Sequence, residues 1–284
     1  MNELIIPLSR AGGPGAAIAG NKAASLARVM ETGLTVPGGI CVTRHAYDSF
    51  IGETGLDRRI IVELGRKKFE DMRWEEMWDA SLRIRNMFLR TEMPPALLKA
   101  VLEGCGEAFP GKPVAVRSSS LAEDSAGASF AGIHESYVDV RGPEDIADRV
   151  KLVWASLWSD AALLYRKELS LDADSSSMAV VVQEMIFGEA SGVGFCVDPN
   201  DPGRGVIECV RGLNQDLVDG KVEPDRFFID RGTGKVVGRT RAERRGEEED
   251  DGYAIDDDSA EMVFSAMSSI EKSFGAPQDV EWTL

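Results

Sequence analysis

A chain of 284 residues, 43% of them apolar, can bury one large core or two lobes and has the composition of an ordinary globular protein. Its 48 acidic residues outweigh 32 basic ones, and a formal net charge of −16 excludes a general nucleic-acid face and demands local cations wherever a polyanion binds. No run reaches the roughly 18 apolar residues of a membrane span, and MNELIIPLSR lacks the basic-then-apolar layout of a secretory leader, so a cytoplasmic protein is the default.

Cys41, Cys105, Cys196 and Cys209 are scattered without a C-x-x-C pair, which favours buried free thiols over disulfides or zinc. Near the start, AGGPGAAIAGNK (11–22) has glycines at P-loop spacing, but Asn21 follows the second glycine where Lys is required, and Ala23 stands where Ser or Thr is required. No strand precedes it, so a dinucleotide fingerprint fails as well. Asn21 to Thr32 reads as a helix with Leu26, Val29 and Met30 on one face and Gly33 at the position after its end. Lys22 then falls in the first turn, where free N–H groups and the ammonium could hold an anion together; an exposed lysine at a fraying end is the plainer alternative.

Val36 to Thr43 is a turn and strand, with Thr43 placed to cap the next helix. Residues 57–110 read as helices: Met77, Ser81, Ile84 and Phe88 share one face, and Pro94-Pro95 opens another helix with Leu98, Val101, Leu102 and Cys105 inward. Trp74 and Trp78 are expected as core or helix-packing residues. Val114-Ala115-Val116 is a short strand ending at Arg117, followed by a stretch of Ser, Ala, Gly, Glu and Asp, and a second strand begins near Ile133. Small residues let a backbone approach an anion closely, and an arginine at the mouth supplies a planar fork for phosphate oxygens. A solvated surface hairpin fits the composition equally well.

Gly142-Pro143 opens one long core helix, with Ile146, Val150, Val153, Trp154, Leu157, Trp158, Ala161, Leu164 and Tyr165 recurring at three and four. SLDADSSS (170–177) is the candidate boundary, dividing residues 1–175 from 176–284. MAVVVQEMI (178–186) is an apolar strand whose Gln183-Glu184 pair must find partners. Strands at Gly192–Val197, Val206–Val210 and Arg226–Ile229 follow, then a charged linker over 239–258 and a last helix, Ala260 to Phe274. As a strand, Asp279-Val280-Glu281-Trp282 puts Val280 and Trp282 on one face and both carboxylates on the other, where hard oxygens suit Mg²⁺ bridging phosphates.

VAVRSSSLAEDSAGASFAG followed by ESYVDV resembles the ATP-binding domain of the phosphoenolpyruvate synthase (pyruvate, water dikinase) family, related to pyruvate, phosphate dikinase and the rifamycin phosphotransferases. Glu123-Asp124 and Phe130-Ala131-Gly132 fit its loop, Gly220-Lys221-Val222-Glu223-Pro224-Asp225 its Gly-x-Val-x-Pro-Asp, and Gln278-Asp279-Val280-Glu281-Trp282 its Gln-Asp-Ile-Glu-Trp. Departures are Asn21 for a glycine, Ser136 for a threonine, and Arg211-Gly212-Leu213-Asn214-Gln215 for Trp-Gly-Leu-Gly-Glu.

The resemblance implies an α/β (α+β), two-lobed ATP-grasp-like domain binding ATP and Mg²⁺. Within it, an N-terminal lobe (1–175) would carry Lys22 and the Arg117 loop, and a C-terminal lobe (176–284) would stop before its final strand. Lys22 and Arg117 would hold the transferring phosphates, Gly132 and Ser136 the loop side, Gln183 and Glu184 the base, and Glu281 with Asp279 the metal. The family continues past Leu284 with a strand carrying Gln-x-Arg-Pro, a swivelling phosphohistidine domain and a pyruvate-binding barrel, expected in the same full-length chain or a partner subunit. Neither His45 nor His134 matches the phosphorylated histidine, so the chain alone is expected to be inactive. A rifamycin or phenol acceptor, and a nucleotide-sensing module without catalysis, are the competing readings. No nucleic acid and no membrane are expected as partners.

Overall fold

The computed structural model describes residues 3–120, 133–169, 176–243 and 252–284, together with the backbone of 124–125 and 128–129. Of the expected site, Gly132 lies outside the described residues, as do Glu123 and Phe130-Ala131. In order, the chain forms β1 (Ile5–Pro7), α1 (Ala16–Glu31), β2 (Gly39–Val42), α2 (Arg44–Thr54), α3 (Leu56–Leu64), α4 (Trp74–Arg90) and α5 (Pro95–Ala108). Then come β3 (Val114–Ser119), the two-residue pair β4 (Asp124–Ser125) and β5 (Ala128–Ser129), β6 (Ser136–Val140), α6 (Pro143–Ser156), α7 (Asp160–Glu168) and β7 (Ala179–Glu184). The remainder is β8 (Ala190–Phe195), β9 (Arg204–Arg211), α8 (Gln215–Val218), β10 (Asp225–Asp230), β11 (Val236–Thr240), α9 (Asp257–Phe274) and β12 (Asp279–Thr283). Each of the two larger sheets is antiparallel throughout, in the mixed helix-and-sheet class expected.

Contacts divide the chain into two units, Met1–Glu31 with Thr35–Met185 and Thr32–Leu34 with Ile186–Leu284. The expected boundary at 175/176 therefore falls ten residues early. The reason is β7: it is the central strand of the first sheet, β1-β2-β7-β3-β6, and its Ala179–Val182 are almost wholly buried there.

In the first unit, directly paired residues share a face of the pleat. Ile40, Val42, Val114, Val116, Val180 and Val182 face a large core shared with α2 to α6. Its centre is aromatic: Tyr47, Phe50, Phe88 and Trp154 lie with ring centroids 5.4–6.3 Å apart, contacts that add about 0.5–1.5 kcal/mol per pair beyond area burial. The opposite face, with Cys41, Ala179 and Val181, packs on α1 through Ala19, Ala23 and Ala27. Leu26 and Met30 only flank this alanine spine, because small side chains let the helix lie close to the sheet.

Three helical expectations change. Trp74 and Trp78 are 55% and 47% exposed: α4 buries Met77, Ser81, Ile84 and Phe88 as expected, while Trp74 is the helix's first residue and Trp78 lies one position past Met77, off the stripe. Leu97 joins Val101 and Cys105 as the buried spine of α5, while Leu98 and Leu102 are only half-buried. The long core helix is two helices: the first ends at Ser156, and Ser159 caps the second, its hydroxyl accepting from Ala162 N–H at 3.1 Å. The restart buries Ala162, Leu163 and Arg166 in place of Ala161, Leu164 and Tyr165.

The second unit is the sheet β11-β10-β9-β8-β12, with α9 packed on one face through Val263, Phe264 and Met267. A Cβ on Gly194 would collide with Met267 and one on Gly205 with Phe264, so these glycines set how closely α9 can lie. β11 occupies the start of the region expected to be linker. Asp225, which closes the Gly-x-Val-x-Pro-Asp stretch, is buried and accepts Ala242 N–H at 2.9 Å and Ala254 N–H at 2.7 Å. It thus ties together the two sides of the charged segment.

Candidate functional site

Three of the expected residues, Arg117, Ser136 and Gln183, lie on one face of one sheet. Pairing runs Cys41–Val181–Arg117–Ser136 across β2, β7, β3 and β6, so Arg117 and Ser136 continue the row that α1 covers at its other end. Gln183 lies on the same face, two residues along β7 from Val181 and opposite Ala115.

Lys22 is brought to this row by a backbone device. Gly20 breaks α1 with φ +78° and ψ 169°, and a Cβ there would overlap the Ser119 carbonyl. Only glycine takes that conformation at that proximity. Immediately after it, Asn21 N–H donates to Ser120 O at 3.2 Å and Ala23 N–H to Ser119 Oγ at 3.1 Å, while Ser119 Oγ–H donates to Ala19 O at 2.7 Å. These bonds fasten the first turn carrying Lys22 to the end of the strand carrying Arg117. They also revise the expectation of free N–H groups for an anion: the amides on either side of Lys22 are already engaged, by Ser120 O and Ser119 Oγ.

The base-side pair divides. Gln183 is buried, and its Nε2 donates to Pro37 O at 3.1 Å, which answers how the polar group at the strand end is satisfied. Glu184 belongs to the opposite face, its carboxylate paired with Lys112 at 2.8 Å, and its N–H donates to Gly38 O at 2.8 Å. His134 lies two residues before Ser136. Burial pushes its imidazole down to about 4, helped by the charges of Arg166 and Lys22 and opposed by a hydrogen bond to the Ser156 backbone. It is therefore neutral at physiological pH.

In the second unit, Asp279 and Glu281 are exposed on the face of β12 opposite Val280 and Trp282, which pack toward the α9 core. The alternation read from the sequence holds. Desolvation raises the Asp279 carboxyl above its ordinary value. Among the described residues no group of three or more His, Cys, Asp or Glu could hold a metal alone. Two carboxylates on one face nevertheless fit Mg²⁺, which typically takes one or two from protein and the rest from phosphates and water.

Sequence reasoning missed Gly20, Ser119 and Arg166. A restart of helix at Ser159 was the available signal for Arg166, since it moves that position to the buried face.

Residues 16–284 match the family model for the pyruvate phosphate dikinase AMP/ATP-binding domain. The chain belongs to this family. It is 41% identical to the phosphoenolpyruvate synthase of Aeropyrum pernix over 75% of this chain and 27% of that one. It is 34% identical to the probable phosphoenolpyruvate synthase of Methanothermobacter thermautotrophicus over 94% and 42%. The rifampicin phosphotransferase of Bacillus cereus is 32% identical over 89% and 31%. The chain thus spans less than half the length of each of these relatives. Among the described residues no helix is long and apolar enough to cross a membrane.

Proposed function

We propose that this chain binds ATP and presents its phosphates to a histidine carried by a separate domain, as one part of a dikinase. The observation that carries this is the placing of Arg117, Ser136 and Gln183 on one sheet face, with the turn that carries Lys22 fastened to the end of that sheet through Gly20 and Ser119. Lys22 and Arg117 neutralise and orient the phosphate chain, which is the main protein contribution to phosphoryl transfer. Gln183 and the Glu184 backbone serve the base. Asp279 and Glu281 would hold Mg²⁺, which supplies charge neutralisation across the phosphates when bound. Such a site needs no nucleophile of its own. In the whole enzyme the β-phosphoryl of ATP passes to the histidine with release of AMP, water takes the γ-phosphoryl off as inorganic phosphate, and the histidine then passes its phosphoryl to pyruvate.

Rifamycin is the competing acceptor, because relatives named for each activity match at comparable identity. The test is labelling with ATP carrying ³²P at the β position. The chain alone should take up no label, and adding a relative's phosphohistidine domain should place acid-labile label on that domain. Label on His134 of the chain alone would make it a self-contained kinase and sink the reading. Acceptor identity follows from chasing the labelled domain with pyruvate or a rifamycin.

A further inference from the structure

Among the described residues four charged side chains are buried, and three are satisfied. Glu63 has Arg83 at 2.5 Å and Arg66 at 3.0 Å, Asp198 has Arg204 at 2.7 Å, and Asp225 has its two backbone amides. Arg166, on α7 and only 4% exposed, differs: its Nη1 is sealed from solvent with no hydrogen-bond partner, and it has no carboxylate among the described residues. What it does have is the Trp158 ring, 5.4 Å from the guanidinium carbon. The Trp158 Nε1–H donates to Tyr47 Oη at 3.2 Å, and burial raises that phenol's pKa, so it stays neutral.

Burying an unpaired cation costs several kcal/mol, and an aromatic face returns about 0.5–2 kcal/mol of it. An apolar residue would serve a purely structural role on α7 better. The position of the charge suggests what offsets the cost. Arg166 and Lys22, on different elements, both act on His134, two residues before Ser136 in the row that carries Arg117. Three cations therefore converge on one end of the sheet in a chain whose net charge is −16.

We propose that Arg166 is a further oxyanion-binding residue of the phosphate site, its Nη1 held without a protein partner until a phosphoryl oxygen of the ligand fills it. A guanidinium suits this task better than an ammonium, since its planar fork matches phosphate geometry and it keeps its charge when buried. The inference rests on the nucleotide-binding reading above. The ligand chemistry is a phosphate chain, from a nucleotide or from inorganic pyrophosphate.

Calorimetric titration and thermal melts of the parent chain, Arg166→Met and Arg166→Lys, each with pyrophosphate and with Mg-ATP, test it. Arg166→Met should melt no lower than the parent without ligand, because a buried unpaired charge is gone. It should also bind pyrophosphate about 10- to 100-fold more weakly, the loss of one charge-assisted hydrogen bond. Arg166→Lys, which keeps the charge without the fork, should fall between. Parent-like pyrophosphate affinity in Arg166→Met overturns the proposal, and if that variant does not fold, parent-like affinity in Arg166→Lys does so. Those results, with Mg-ATP still bound by the parent, would leave the nucleotide reading intact. A parent that binds pyrophosphate but not Mg-ATP would reject the nucleotide reading and keep the anion site, and one that binds neither rejects both.

Discussion

Gly20 shows how a single residue decides where a functional side chain sits. Its positive φ and the overlap that a Cβ would make with Ser119 mean that alanine must either strain the backbone or push α1 off β3. Gly20→Ala should cost about 2 kcal/mol or more, read as a lower urea midpoint, and should weaken Mg-ATP binding by displacing Lys22. An unchanged midpoint would show that the kink is not needed. His134 gives a second prediction at this scale. Its folded-state pKa of about 4 lies below the 6.5 of an unfolded histidine, so between these values the unfolded chain binds the extra proton. Stability should therefore fall as pH drops from 6.5 toward 4, by up to about 3 kcal/mol. His134→Gln should flatten that slope while leaving stability at pH 8 much less changed. An identical pH profile in the variant would assign the acid sensitivity elsewhere.

At the scale of elements, caps and clips outweigh periodicity. Ser159 caps the helix that restarts after Ser156, and the resulting shift in register is what buries Arg166. Asp225 satisfies amides on both sides of the charged segment. Ser159→Ala removes one cap bond and should cost about 1 kcal/mol. Asp225→Ala strands two buried-side donors and should cost about 2–4 kcal/mol. Chemical denaturation of both variants checks the order, and a milder effect at Asp225 than at Ser159 would show that the clip bears little of the second unit's stability. The exposed Trp78 teaches a related lesson: on α4 a bulky apolar residue one step past buried Met77 is left outside.

For the whole molecule, the two units have separate cores, and the cysteines report on each. Cys41 and Cys105 lie in the first unit, Cys196 and Cys209 in the second, and all four are buried thiols outside any disulfide. Burial pushes the Cys41 and Cys105 thiols up to about 12, which suppresses the thiolate needed for alkylation. In native buffer at pH 8 the chain should resist iodoacetamide. As denaturant rises, mass spectrometry should find the members of each pair labelled together, because each pair opens with its own core. Labelling of Cys41 with Cys196 ahead of their unit partners would argue against two cooperative units.

Much of this protein was legible in the residues. The β-branched runs at 114–116 and 178–182, the alternation at 279–282 and the helix faces of α4 follow from local periodicity, which depends only on neighbouring side chains. The ordered motifs around Arg117 and at 278–282 carried the family, and residues 16–284 match it. What only the tertiary structure decided is long-range pairing. It is strand register that places Arg117, Ser136 and Gln183 on one face and Glu184 on the other, where Lys112 takes its carboxylate. The contact between Gly20 and Ser119, about a hundred positions apart, fastens Lys22 and uses the amides that local reading left free. Arg166 was hidden for the same reason: its burial without a partner is a property of what surrounds α7, and no window of sequence contains that.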